Sequence, residues 1–162
     1  MEKVEMNKDM KLSEHFTLGE LTKTSYKTED GNIPSRVAIE NLKNLCENWL
    51  EDLRYSYNAL YPRYCPQKET PLVINSGYRS PEVNKRAGGS PTSNHMTGCA
   101  VDIHVTGFEQ AIRYASILLD ISDGTQRDYD ELFIERNKAG SHWIHLAVRP
   151  TGNRRRGKFI LT

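Results

Sequence analysis

The side chains best equipped for chemistry fall in two short stretches. "SNHMTGCAVDIHV", residues 93–105, carries His95, Asp102 and His104, and "HWIHLAV", residues 142–148, carries His142 and His145. Imidazole nitrogens and carboxylate oxygens are ligand atoms for Zn2+. Two histidines with one carboxylate leave a fourth position open, as a catalytic zinc requires. The same groups move protons as general acids and bases. Scattered over a solvated sheet they would do neither, so the elements that carry them decide.

Strands alternate their side chains between two faces. In the apolar run 100–105, Val101, Ile103 and Val105 point one way, and Ala100, Asp102 and His104 the other. "ELFIE" puts Leu132 and Ile134 on one face and Glu131, Phe133 and Glu135 on the other. "HWIHLAV" sets Ile144, Leu146 and Val148 against Trp143, His145 and Ala147. With "RNKAGS" as a hairpin turn in normal register, Glu135 lies near Trp143 and His145. Asp102, Glu135 and His145 thus share the side opposite the core, and His95 reaches it from the adjoining loop. His142 and His145 have H-x-x-H spacing, but on a regular strand they face opposite ways. His104 either supports a ligand from Asp102's face or lies exposed.

The remaining elements follow from periodicity and caps. Residues 1–12 read as a frayed polar arm, and Thr17 with Glu20 forms a capping box. From Ser35 to Tyr61, Ile39, Leu42, Leu45, Cys46, Trp49, Leu53, Tyr57 and Leu60 recur at helical spacing. "YPRYCPQKETP" is a loop, "LVINS" a short strand, and Ser80-Pro81 opens a small helix. Thr106 and Glu109 suggest a second capping box ahead of another amphipathic helix.

A chain of 162 residues, 37% hydrophobic and 27% charged, suits one globular domain spanning 1–162. The net charge of +1 argues against a general nucleic-acid binder. "RPTGNRRRGK", residues 149–158, is the local exception, with five basic residues and no acid. It reads as a solvated basic C-terminal segment, with a contact to phosphate-rich wall polymers or DNA as the sharper alternative; no recognition element accompanies it. Three cysteines without a C-x-x-C pair fit reduced thiols, Cys46 and Cys99 as buried small hydrophobes. No Sec-type signal and no membrane span is visible. The expectation is synthesis in the cytoplasm, with any later destination reached by another route.

"SGYRS", "GGSPTSNHMTGCAVDI" and "HWIHLAV" resemble the zinc D-alanyl-D-alanine carboxypeptidase family, related to murein endopeptidases, D-Ala-D-Ala dipeptidases and the hedgehog signalling domain. The signature S-x-H-x-x-G-x-A-x-D is met by Ser93, His95, Gly98, Ala100 and Asp102. The resemblance extends to "LSEHFTLGELTKTS" and the long helix. It implies His95, Asp102 and His145 as ligands of one Zn2+ per chain. It also implies Arg79 as a holder of substrate carboxylate or oxyanion, which suits a bidentate guanidinium. Tyr78, Ser93 and Trp143 are expected to contact substrate, Ser93 also ordering the loop before His95.

The general base departs from the family pattern. Relatives often place an acid or a histidine a few residues before the last ligand; here position 142 is histidine and the nearest strand carboxylate is Glu135. Parity favours Glu135 and sequence proximity favours His142. Glu135 is taken as base, with His142 as a hydrogen-bond donor. The expected fold is α+β: a small antiparallel sheet with helices on one face and a zinc cleft on the other. The expected activity is hydrolysis of peptidoglycan stem peptides, as endopeptidase or carboxypeptidase, with a phage-type lysin, released or carried on a phage particle, as the route to the wall. The rival is a non-catalytic zinc-stabilised wall-binding or phage assembly module. The oligomeric state is not legible, a monomer being the default.

Overall fold

The apolar stripe between Ser35 and Tyr61 folds as one helical rod in the computed structural model, which describes residues 6–65 and 69–162. The Ser35 side chain caps it by accepting from the Ala38 N–H. Helix α2 covers Arg36–Leu45 and α3 covers Glu51–Leu60. Between them Cys46–Leu50 form a π-helical turn, in which the Glu51 N–H reaches back to the Cys46 carbonyl. Periodicity does not register this turn, because Cys46, Trp49 and Leu50 within it are buried like Leu45 and Leu53 on either side.

The short helix α1, Leu18–Leu21, has the expected capping box between Thr17 and Glu20. Residues 6–12 are not frayed. The Gly19 N–H donates to the Lys8 carbonyl and the Leu18 N–H to Met10, and Leu12 is buried beside Phe16. Residues 1–5 of the expected arm, like residues 66–68 of the Pro-rich loop, lie outside the described residues.

Among the described residues five strands form one sheet: β1 Ile74–Ser76, β2 Ala100–His104, β3 Glu131–Arg136, β4 His142–Ala147 and β5 Arg156–Leu161, in the order β1-β2-β4-β3-β5. The hairpin β3–β4 keeps the register that alternation predicts, with Phe133 opposite His145 and Glu135 opposite Trp143. On the other side of β4, Asp102 stands opposite His145. The sheet is mixed rather than antiparallel, because β5 pairs parallel to β3. Residues 156–161 are therefore a strand and not a solvated tail. The open edge of β3 offers unpaired backbone groups that a further strand satisfies. The turn leading there is tied by Asn153, whose side chain bonds the Arg149 N–H and carbonyl.

Helix α4, Pro81–Arg86, begins at Ser80 as expected. Helix α5, Phe108–Thr125, starts from Gly107 without a side-chain cap. The Thr106/Glu109 box does not form; the Thr106 N–H donates to Gln110 instead. Ala111, Tyr114, Ile117 and Leu118 of α5 join Val101, Ile103, Leu132, Ile144 and Leu146 of the sheet, and α2–α3, in one core. Each such aliphatic side chain contributes about 1.5–3 kcal/mol by leaving water. Cys46 and Cys99 are buried as small hydrophobes, and burial pushes both thiols up in pKa. Among the described residues no helix is long and apolar enough to cross a membrane.

Candidate metal centre

His95 is delivered by a turn with little freedom. The Ser93 hydroxyl accepts from the His95 N–H at 3.2 Å, and Asn94–Thr97 wind as a single 3-10 turn. Gly98 ends it at φ 73°, where a Cβ would stand 2.3 Å from the Ala38 carbonyl oxygen. Only glycine fits there. The neighbouring stretch is as tight: a Cβ on Gly77 would meet the Leu21 carbonyl oxygen at 2.2 Å. That close approach sets the Gly77 carbonyl 2.7 Å from His95 Nδ1. A carbonyl can only accept, so Nδ1 carries the proton and Nε2 keeps its lone pair.

That lone pair faces Asp102. His95 Nε2 lies 3.4 Å from Asp102 Oδ2, and His145 Nδ1 lies 3.0 Å from Oδ1. One donor atom from each of His95, Asp102 and His145 falls within 4.8 Å of the others. Two of the three are nearly sealed from solvent, His95 at 3% and Asp102 at 8% exposure. The His145 ring stacks on Phe133 with centroids 5.2 Å apart. Its Nε2 lies 3.3 Å from Glu131 Oε1. Arg79 donates from Nη2 to Asp102 Oδ2 at 3.1 Å and from Nε to the Ser76 hydroxyl at 3.0 Å.

The electrostatics are those of a cation site. Burial alone would raise the Asp102 carboxyl, but the His95 and His145 imidazoles outweigh it and hold the carboxyl well below the usual range. Burial would lower His145, yet hydrogen bonds to Asp102 and Glu131 push it up to about 9. Two imidazoles, one with a free Nε2, and a buried carboxylate make the donor set that zinc takes, so the residues fit the metal.

The cleft that reaches this cluster has a volume of about 460 Å³, and Arg79, Ser93, Glu135 and Trp143 line it. Glu135 Oε2 accepts from the Trp143 indole N–H. Burial, with the Asp102 charge adding to it, pushes the Glu135 carboxyl up from its ordinary value. Two expected residues are not here. His142 shares the parity of Ile144 and Leu146, and its ring lies 5.9 Å from Phe108 at the start of α5. It lines a separate cavity with Asn75 and the exposed His104. Tyr78 is packed into the hydrophobic core instead of lining the cleft. A large aromatic side chain gains more from that burial than from a wet wall.

Sequence reasoning missed the groups behind the cluster. Glu131, on the same face as Glu135, receives the Asn94 side chain at 2.8 Å as well as His145. Asn94 also donates to Asp130 at 2.9 Å. Asp130 is fully buried and held by Arg154, which donates from Nε at 2.9 Å and from Nη2 at 2.7 Å. Arg154 is the leading reason that the Asp130 carboxyl falls to about 2. Parity could have flagged Glu131; nothing local links it to Asn94 or Arg154.

A family model described as Peptidase M15 matches residues 14–146, a span that holds His95, Asp102, Glu135 and His145 and ends before β5. No curated protein matches the chain.

Proposed function

Because this chain belongs to the M15 peptidases, zinc-dependent enzymes of the D-Ala-D-Ala carboxypeptidase type, we propose that it hydrolyses peptide bonds in peptidoglycan stem peptides. His95 through Nε2, Asp102 through its carboxylate and His145 through Nδ1 hold one Zn2+. The observation that carries this reading is the convergence of those donors within 4.8 Å at the floor of an open cleft. When bound, zinc supplies Lewis acidity toward the scissile carbonyl and the attacking water.

The chain's own residues do the rest. Glu135 accepts the proton of the attacking water at Oε1 and returns it to the leaving amine nitrogen. Its raised pKa suits a group that must both take and give. Trp143 anchors the other oxygen, Oε2, and so aims Oε1. Arg79 has Nε and Nη2 committed to Ser76 and Asp102, which leaves Nη1 to steady the oxyanion that develops on the scissile carbonyl. That commitment favours internal cleavage over capture of a free C-terminus, hence an endopeptidase of the kind a phage-type lysin uses. Ser93 orders the approach of His95 and borders the substrate. His142 has no part in the step.

Digestion of purified peptidoglycan by the zinc-loaded protein, followed by mass spectrometry of released muropeptides, tests the proposal. New peptide termini that disappear with Glu135→Gln are expected. Full zinc occupancy with intact muropeptides would instead favour a non-catalytic wall-binding or assembly module.

A further inference from the structure

The run Arg154-Arg155-Arg156 lies beyond the residues covered by the family match. The backbone at Arg155 takes a left-handed φ of 49°, unusual for a residue with a side chain. There the three guanidiniums part company. Arg155 turns away from the cleft, donating to Ser122 Oγ at 2.8 Å and Asp128 Oδ1 at 3.0 Å and lying over the Tyr129 ring. Arg154 and Arg156 line the same cleft as His95, Asp102 and His145.

Both guanidiniums are oriented, and both keep donors in hand. Arg154 spends Nε and Nη2 on the buried Asp130, which fixes its plane; among the described residues Nη1 has no acceptor. Arg156 stands beside Glu131 in the parallel β3–β5 pair, its Nη1 3.7 Å from Glu131 Oε2 and its guanidinium over the Phe133 ring. No hydrogen bond leaves its guanidinium among the described residues. Glu131 stands near both arginines, but its Oε1 already receives His145 and Asn94. Asp130 and Glu131 balance the two charges, but neither takes a hydrogen bond from Arg154 Nη1 or from the Arg156 guanidinium. The wall keeps unspent guanidinium donors in a planar fork, the arrangement that pairs with a carboxylate.

We propose that Arg154 and Arg156 form a carboxylate-binding subsite of the cleft, distinct from Arg79, that selects stem peptides whose glutamyl carboxylate is free over those in which it is amidated. The proposal rests on the peptidase reading of the cleft and names its substrate class as anionic.

The probes are two stem pentapeptides, L-Ala-γ-D-Glu-L-Lys-D-Ala-D-Ala with the glutamyl α-carboxylate free or as the carboxamide. Calorimetry on zinc-loaded Glu135→Gln reads binding without turnover, and mass spectrometry on the Glu135 protein reads cleavage. The free acid is expected to bind roughly 10- to 100-fold more tightly, the scale of a charge-assisted pair. Adding Arg156→Gln should remove most of that ratio, and Arg156→Glu should invert it. Arg156 is the residue to change because no fold contact depends on its hydrogen bonds, whereas loss of Arg154 would strand Asp130. An acid-to-amide ratio that Arg156→Gln leaves untouched, or the absence of binding by either peptide, overturns the subsite. Acid-selective binding without cleavage of either peptide supports the subsite and rules out hydrolysis within the uncross-linked stem. Cleavage without acid selectivity does the reverse.

Discussion

Glu131 grips His145 from behind: its Oε1 lies 3.3 Å from His145 Nε2, while Nδ1 of the same ring lies 3.0 Å from Asp102. A carboxylate on the far nitrogen fixes the ring's tautomer and plane, and such partners of metal-bound histidines typically add 10- to 100-fold to metal affinity. Glu131→Gln should therefore keep the fold and weaken zinc binding by roughly 10- to 100-fold. Competition with a chelating dye measures this; an unchanged affinity would detach Glu131 from the centre.

Zinc content is expected at one ion per chain, lost with His95→Ala, Asp102→Ala or His145→Ala and retained with His142→Ala. Binding should also release a proton. Hydrogen bonds to Asp102 and Glu131 push His145 up to about 9, so below that pH the ion must displace a proton from the ring, and affinity should climb with pH, by up to about tenfold per unit, from neutrality toward 9. A chelator titration across that range checks it. An affinity flat above pH 7 would remove His145 from the ligand set.

Glu135→Gln keeps the volume and the hydrogen bond from Trp143 but cannot take a proton. Zinc and stability should persist while kcat falls by roughly two orders of magnitude or more. His142→Ala should cut muropeptides at nearly the rate of the unaltered protein, since its ring sits against Phe108 on the helix side of β4. The opposite pattern in the two variants would move the base to His142.

Arg79→Lys keeps the charge and loses the planar fork that binds Ser76 and Asp102 together. Activity should fall alike on a peptide with a free C-terminus and on its C-terminal amide, because the oxyanion is common to both. Kinetics on that matched pair decide; a loss confined to the free acid would make the enzyme a carboxypeptidase.

Asp130 ties stability to pH. Its carboxyl falls from 3.8 to about 2 in the folded protein, so the ionised form is favoured by folding. That contribution, about 2 kcal/mol, is complete above about pH 5 and is lost as the pH drops through 2. Asp130→Asn should lower stability at pH 7 by about that amount or more, with Arg154 left unpaired. It should also flatten the decline between pH 4 and 2, readable as urea midpoints across a pH series. A variant with an unaltered acid limb would show that the Arg154 pair contributes nothing.

Elements whose information is local were legible along the chain. The stripe from Ile39 to Leu60 needs only its own periodicity to become a helical rod, and Thr17, Ser35 and Ser80 cap their helices from within a few residues. Strand alternation is also local, and it sorted Asp102, Glu135 and His145 from Ile103, Ile134 and Ile144 once the hairpin register was assumed. The loop signature around His95 did the rest through resemblance. Tertiary structure alone decided what lies between distant segments. Strand β5 was illegible because "RGKFIL" carries charge like a tail, and its pairing depends on the open edge of β3, set more than twenty residues earlier. Tyr78 went to the core because the folded chain, not the "SGYRS" run, offered its ring an apolar bed. The link from Arg154 through Asp130, Asn94 and Glu131 to His145 joins four segments by hydrogen bonds. Hydrogen bonds reach about 3 Å and act between whatever folding brings together, so no pattern along a single stretch of chain could have announced them.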